Sequence, residues 1–245
     1  MREKIKRPVV CVPVTAKNDS EIYYQIDKII EKKKTANIDM VELRADYFDE
    51  LSNADKLKKV LEDIHNKLNK AGIKLLFTIR SEEEGGEKLN FKEPSINIIN
   101  MFIAGNKLAD YVDVEYFSDR KTADMVVKIA KKNDVKVIMS SHDFNKTPSY
   151  NEMIKRYEGM YERKADIIKL AVMPKAEADV DSLLNAVSEA YEKYQDVDVI
   201  GISMGELGRR SRTEGYIFGS FLTFAILDKA SAPGQVSVDE LTFTR

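Results

Sequence analysis

Tryptophan is missing from all 245 residues, cysteine occurs once and histidine only twice. The lone Cys11 cannot close an internal disulfide. It lies in the apolar run VVCVPV, so packing inside a protein of the reducing cytoplasm is its expected use. Neither HxH nor HExxH occurs, and no second cysteine exists to join a histidine, so the usual soft-ligand metal sites find no pattern here. Charge of one sign is also lacking: 39 Lys+Arg stand against 41 Asp+Glu, a net of -2. That balance removes the basic field a nucleic acid or an anionic membrane would need, and favours a small-molecule partner. No apolar run is long enough to span a bilayer. The start, MREKIKRP, is charged and is followed by too short an apolar stretch for a secretion signal, so nothing suggests export. GxGxxG is absent, as are linkers, low-complexity tracts and shifts of composition.

What is present is repetition. Eight short apolar runs recur at near-even intervals: VVCVPV from Val9, MVELRAD from Met40, LLFTIR from Leu75, YVDVEYF from Tyr111, VKVIMSSH from Val135, IIKLAVM from Ile167, VDVIGISM from Val197 and SFLTFAI from Ser220. Continuous apolar runs of this length read as strands buried on both faces of a parallel sheet. Charged segments of helical period separate them. In Asn53 to Lys70, Leu57, Val60, Leu61, Ile64 and Leu68 fall on one face. TADMVVKIAKKN and DVDSLLNAVSEAYEKY read as further helices, the latter capped by Asp179 or Asp181. Eight strand–helix units in this length suit an α/β fold of the (β/α)8 TIM-barrel kind, one catalytic domain over residues 1–245. A doubly wound open sheet is the competing arrangement, but no glycine-rich turn follows the first strand.

Lys169 sits in the middle of IIKLAVM. A buried ammonium is costly, desolvation lowers a lysine pKa, and the neutral amine is the form that attacks a carbonyl to make an imine. A strand-end lysine snorkelling to water is the competing reading, but Lys169 is several residues from either end of its run. Other polar residues gather at strand ends, where barrels carry their chemistry. Glu42, Arg44 and Asp46 share one side of VELRAD by the period of two, LLFTIR ends in Arg80 before Glu82, Glu83 and Glu84, and YVDVEYF offers Asp113 and Glu115. VIMSSHDF ends in His142 and Asp143, while GISM ends in Met204 before a loop with Arg209, Arg210 and Arg212. Each could be an ordinary ion pair at a rim; together they point to a polar mouth. His65, in a lysine-rich amphipathic helix, reads as a solvated side chain without a role. His142 ends a buried strand next to that of Lys169 and can take and return a proton. An amine plus a nearby base equips a site for elimination, isomerisation or carbon–carbon cleavage.

The same residues carry a resemblance. VELRAD at Val41, TIRSEEEGG at Thr78, MSSHDFNKTP at Met139, IIKLAVMP at Ile167, GISMGELGRRSR at Gly201 and SAPGQVSVDEL at Ser231 follow in order, and across nearly the whole chain the sequence resembles the type I 3-dehydroquinate dehydratases, (β/α)8 enzymes of the shikimate pathway. The resemblance implies an imine on Lys169, proton transfer by His142 with syn loss of water, and Glu84 orienting that histidine. It also implies that Glu42, Arg44 and Arg80 hold the ring hydroxyls of 3-dehydroquinate and that Arg212 forks its carboxylate, a task suited to a planar guanidinium. Ser231 and Gln235 resemble lid residues with small residues between them to let the loop move. Met204 resembles an apolar wall, with simple core packing as its equal alternative. Asp113 and Glu115 take only a supporting role. A cytoplasmic homodimer without metal or organic cofactor, and without nucleic-acid or membrane partners, is what the resemblance leads one to expect. Expected departures from the family are a reduced or absent N-terminal hairpin, since about eight residues precede the first strand, Pro13 where some relatives have a serine, and at most a curtailed final helix in VDELTFTR. A class I Schiff-base aldolase would use the same kind of lysine, but Arg212, Glu42 and Arg44 suit a polyhydroxylated acid better. A silent binding protein on this scaffold would be expected to have lost Lys169 or His142.

Overall fold

The computed structural model describes residues 4–91, 94–227 and 234–241. Strand and helix alternate along the chain, as the repeat of apolar runs predicts. Two compact units are distinguished, Cys11–Val137 and a second formed by residues 1–10 with 138–245; the division runs inside strands β1 (Val9–Val14) and β5 (Lys136–Asp143).

In the Cys11–Val137 unit, β1 pairs in parallel with β2 (Met40–Arg44), β2 with β3 (Lys74–Thr78) and β3 with β4 (Tyr111–Glu115). Between them run α1 (Asp19–Lys32), α2 (Ala54–Lys70), α3 (Ser95–Gly105) and α4 (Arg120–Lys132). All five residues of β2 are buried, which is why its sequence shows no simple alternation of apolar and polar. Asn53 caps α2, its side chain accepting from the Lys56 N–H, and Leu57, Val60, Leu61, Ile64 and Leu68 are buried along one face. Burying each of these leucine, valine or isoleucine side chains contributes about 1.5–3 kcal/mol.

Three helices of this unit end alike. Ile73 N–H bonds Leu68 O at 2.9 Å, Leu108 N–H bonds Ile103 O at 3.1 Å and Val135 N–H bonds Ala130 O at 3.0 Å, each across a left-handed residue: Gly72 (φ 65), Lys107 (φ 53) and Asp134 (φ 58). This closure turns the chain sharply from helix into the next strand. At the same end of the unit the structure corrects the reading of His65. Its Nε2 lies 3.1 Å from Asp110 Oδ2 and its side chain is 19% exposed, so it is a bonded histidine rather than a solvated one. Asp110 also takes Lys74 Nζ at 2.7 Å and the Leu75 N–H at 2.9 Å. Half-burial opposes its charge, but these bonds prevail and hold its pKa down at about 2.

In the second unit, β5, β6 (Ile167–Val172) and β7 (Asp198–Ser203) pair in parallel, and β8 (Leu222–Ile226) pairs with a two-residue β9 (Val236–Ser237) that the apolar runs do not announce. The helices are α5 (Tyr150–Glu162), α6 (Glu177–Lys193) and α7 (Arg209–Thr213). α6 begins before the residues expected to cap it: Asp179 lies inside the first turn and reaches back to the N–H groups of Lys175 (2.7 Å) and Ala176 (3.1 Å). Asp181 instead pairs with Arg210 at 2.7 Å. Val238–Glu240 form a turn rather than a helix, and residues 242–245 lie outside the described ones.

Candidate active site

At the C-terminal ends of β2, β3 and β4, the charged side chains of the first unit are buried in contact with one another. Arg44 forks Asp46 through Nε at 2.9 Å and Nη2 at 2.7 Å, and Asp46 also accepts the backbone N–H groups of Arg80 (3.3 Å) and Glu87 (3.2 Å). Asp46 lies in a short 3-10 turn, Ala45–Tyr47, beyond the strand; a local fork, not strand alternation, brings it beside Arg44. Glu42 Oε1 accepts from Thr78 Oγ1 at 2.9 Å, and Thr78 stands opposite Arg44 in the β2–β3 ladder.

Arg80 lies two residues past the end of β3 and reaches Asp113 (2.9 Å), Glu115 (3.0 Å) and Glu84 (3.6 Å). Burial works against its charge, yet the three carboxylates hold its pKa above the ordinary guanidinium value. Burial likewise opposes the charge on Arg44, and Asp46 raises its pKa past the ordinary value. The Ser81 N–H bonds Glu115 at 2.8 Å, which fixes the start of the loop carrying Glu84. That loop folds back so that Gly86 N–H meets Ser81 O at 2.8 Å, and a Cβ on Gly86 would stand 2.0 Å from Arg80 O. Only glycine fits there.

Lys169 occupies the third position of β6 in the second unit and is 4% exposed. Its ladder partners are Ser140 on β5 and Ile200 on β7. Because side chains alternate along a strand, His142, two residues beyond Ser140, shares the face of Lys169. It sits about 6.6 Å further toward the strand's C-terminal end. His142 is only partly buried. The ring of Phe224 on β8 lies 4.6 Å from Lys169 Nζ. Such a ring face stabilises a cation electrostatically. Sequence reading missed Phe224 because, inside SFLTFAI, it looks like any other core residue.

Met204 follows β7, is 2% exposed and donates its N–H to Val172 O at 2.8 Å. The loop then turns into α7, where Ser211 Oγ accepts from the Ser203 N–H (2.8 Å) and donates to Gly208 O (2.7 Å), fixing the segment that carries Arg212. Arg212 is 2% exposed, and burial pulls its pKa down to about 10. Gln235 is partly buried and follows Gly234, whose added Cβ would come within 2.1 Å of Gly205 O, so this end of the segment packs on the loop after Met204. Ser231 lies outside the described residues. Among the described residues, no group of three or more His, Cys, Asp and Glu is placed to hold a metal ion, and no helix is long and apolar enough to cross a membrane.

The family model for type I 3-dehydroquinase matches residues 10–244. The chain belongs to the type I 3-dehydroquinase family. It is 42% identical over 235 residues to the 3-dehydroquinate dehydratase of Clostridioides difficile (strain 630), covering 96% of this chain and 89% of that one. Among solved structures, a type I 3-dehydroquinate dehydratase from Clostridium difficile with covalently modified comenic acid superposes with a TM-score of 0.88 at 40% identity, over 98% of this chain and 95% of that one. The 3-dehydroquinate dehydratase of Geobacillus kaustophilus HTA426 gives 0.88 at 29% identity, over 98% and 93%. The fold class of this type I 3-dehydroquinase is therefore α/β, a (β/α)8 TIM barrel, as the spacing of the apolar runs predicts.

Proposed function

We propose that the chain is a single-domain 3-dehydroquinate dehydratase that converts 3-dehydroquinate to 3-dehydroshikimate and water through an imine on Lys169. The observation that carries this reading is the pairing of Lys169 with Ser140, which sets His142 on the same face one pleat further along the neighbouring strand. Family membership supports it, as does the covalently modified ligand in the Clostridium difficile relative.

In the proposed reaction, Lys169 Nζ attacks the substrate ketone and the carbonyl oxygen leaves as water, giving a protonated imine. His142 takes a proton from the carbon next to that imine, and the electron pair moves toward nitrogen to form an enamine. Its return expels the hydroxyl group at the next carbon, which His142 protonates on the same face. Water then hydrolyses the conjugated imine and releases the enone. Burial of Lys169 favours the nucleophilic amine, while the Phe224 ring favours charge on the imine nitrogen. Arg212 is assigned to the substrate carboxylate and Glu42, Arg44 and Arg80 to its hydroxyls. Glu84 is assigned to the orientation of His142, Met204 to an apolar wall, and Ser231 with Gln235 to a closing segment. This chemistry needs no metal or organic cofactor. A cytoplasmic homodimer completes the reading, in line with the resemblance.

The test is borohydride reduction in the presence of 3-dehydroquinate, followed by peptide mass analysis, with turnover read from the absorbance of the conjugated product. A ligand-sized mass on the Lys169 peptide is expected, absent in Lys169→Ala. His142→Ala should still be trapped but turn over about 10²–10⁴-fold more slowly. An adduct on another lysine, or none, overturns the reading.

A further inference from the structure

We propose that Asp143 and Thr147 are positioning residues that hold His142 in register with Lys169, an inference that rests on the roles proposed above for those two side chains. The β5–β6 ladder ends at Asp143 and Val172, one rung past His142 and Ala171. The last rungs of a ladder are its least constrained part, because strand ends open first, and His142 stands there. The chain closes this end with bonds of its own. Asp143 Oδ1 accepts the N–H groups of Asn145 and Lys146, both at 3.0 Å, so the backbone turns at once after the histidine. That turn is then fastened to the lysine strand. The Met173 N–H donates to Lys146 O at 3.3 Å, and Thr147 Oγ1 donates to Met173 O at 3.2 Å.

His142, Asp143, the turn, Met173 and Ala171 thereby form a closed ring of covalent and hydrogen bonds beyond the last ladder pair. In this ring Asp143 acts through backbone geometry rather than through contact with a ligand. Oδ1 alone receives both bonds, so an asparagine, which keeps that acceptor, should serve nearly as well. Thr147 supplies the second fastening, and Pro148 after it stiffens the exit from the turn. Misplacement of a catalytic group by about 1 Å can cost on the order of 10²-fold in rate.

The experiment compares Asp143→Ala, Asp143→Asn and Thr147→Val in kcat, KM and yield of borohydride adduct on Lys169. Asp143→Ala should lose roughly 10- to 100-fold in kcat with KM changed by less than about 3-fold and adduct yield near that of the parent, since only the proton-moving step is disturbed. Asp143→Asn should recover most of that loss. Thr147→Val should lose less than Asp143→Ala, and combining the two should fall short of the product of the single losses. Parent-like kcat in Asp143→Ala, an Asn variant as slow as the Ala variant, or losses that follow KM or adduct yield would each overturn the proposal. If Asp143→Ala does not fold, Thr147→Val decides: a drop in kcat with intact adduct yield supports the clamp, and unchanged kcat refutes it. Failure of the parent protein itself to give an adduct on Lys169 would instead strike the proposed function.

Discussion

The strand ends of the Cys11–Val137 unit and those of the second unit treat buried cations in opposite ways. In the first, Arg44 and Arg80 are clasped by Asp46, Asp113, Glu115 and Glu84, and the carboxylates outweigh burial so that both arginines are held above their ordinary pKa. In the second, Arg212 is just as buried, and there burial lowers its pKa. A guanidinium already matched by carboxylates is part of the frame, and its orientation is fixed before any ligand arrives. A cation whose charge burial disfavours gains from an arriving anion, which suits the role proposed for Arg212.

That contrast breaks first if Arg80 and Arg212 are each exchanged for a side chain of similar length without charge. Arg80→Met strands three carboxylates, and removing one partner of a buried charge cluster costs about 3–5 kcal/mol. Urea unfolding should show that loss for Arg80→Met and a much smaller one, or a gain, for Arg212→Met. Calorimetric titration with 3-dehydroquinate should show the reverse order, with Arg212→Met weakening binding by roughly 2–5 kcal/mol. Equal stability losses at the two positions, or undiminished affinity in Arg212→Met, would erase the distinction drawn between them.

A smaller effect concerns the opposite end of the strands, at Asp110. Asp110 is depressed from 3.8 to about 2 in the folded protein. A carboxylate depressed by folding contributes stability that is fully present above its unfolded pKa, near 3.9, and is lost as pH falls toward 2. Between pH 6 and pH 2 the stability advantage of the parent over Asp110→Asn should therefore shrink by about 2 kcal/mol in urea titrations. A difference that stays constant over that range would mean that His65, Lys74 and the Leu75 N–H do not hold the charge as described. Smallest of all should be the gain from relieving left-handed residues where helices turn into strands. Lys107→Gly, Asp134→Gly and Lys164→Gly, at φ values of 53, 58 and 64, should each raise the unfolding free energy by about 0.5–1 kcal/mol and leave kcat unchanged. Lowered melting temperatures would show that local side-chain contacts outweigh the backbone strain.

Much of this was legible in order along the chain. The eight apolar runs are the strands β1 to β8, and Val9–Val14 coincides with its run, because an apolar segment buried on both faces has no alternative environment to mimic. The face of α2 was legible for the same reason: Leu57, Val60, Leu61, Ile64 and Leu68 repeat at the helical period. Lys169 stood out because it interrupts an apolar strand, and His142 because it ends one. Partners were harder to read. Asp110 lies 45 residues from His65 and Glu115 lies 35 from Arg80, separations that no local period encodes. Phe224 was hidden because it is an aromatic in a strand where aromatics are ordinary. β9 was hidden because two residues are too few to leave a pattern.

The cluster around Arg80 also constrains how such a sequence can change over time. Asp113, Glu115 and Glu84 each lean on the same guanidinium, and Ser81 and Gly86 fix the loop that brings Glu84 to it. Any one replacement leaves a buried charge mismatched, whereas exchanging the whole set for apolar residues of similar volume can be neutral or stabilising. Intermediates with one partner of the cluster removed are destabilised, and effects at positions in contact do not add. These positions are expected to be inherited together or lost together, so a relative that has changed one of them should have changed its neighbours in the cluster as well.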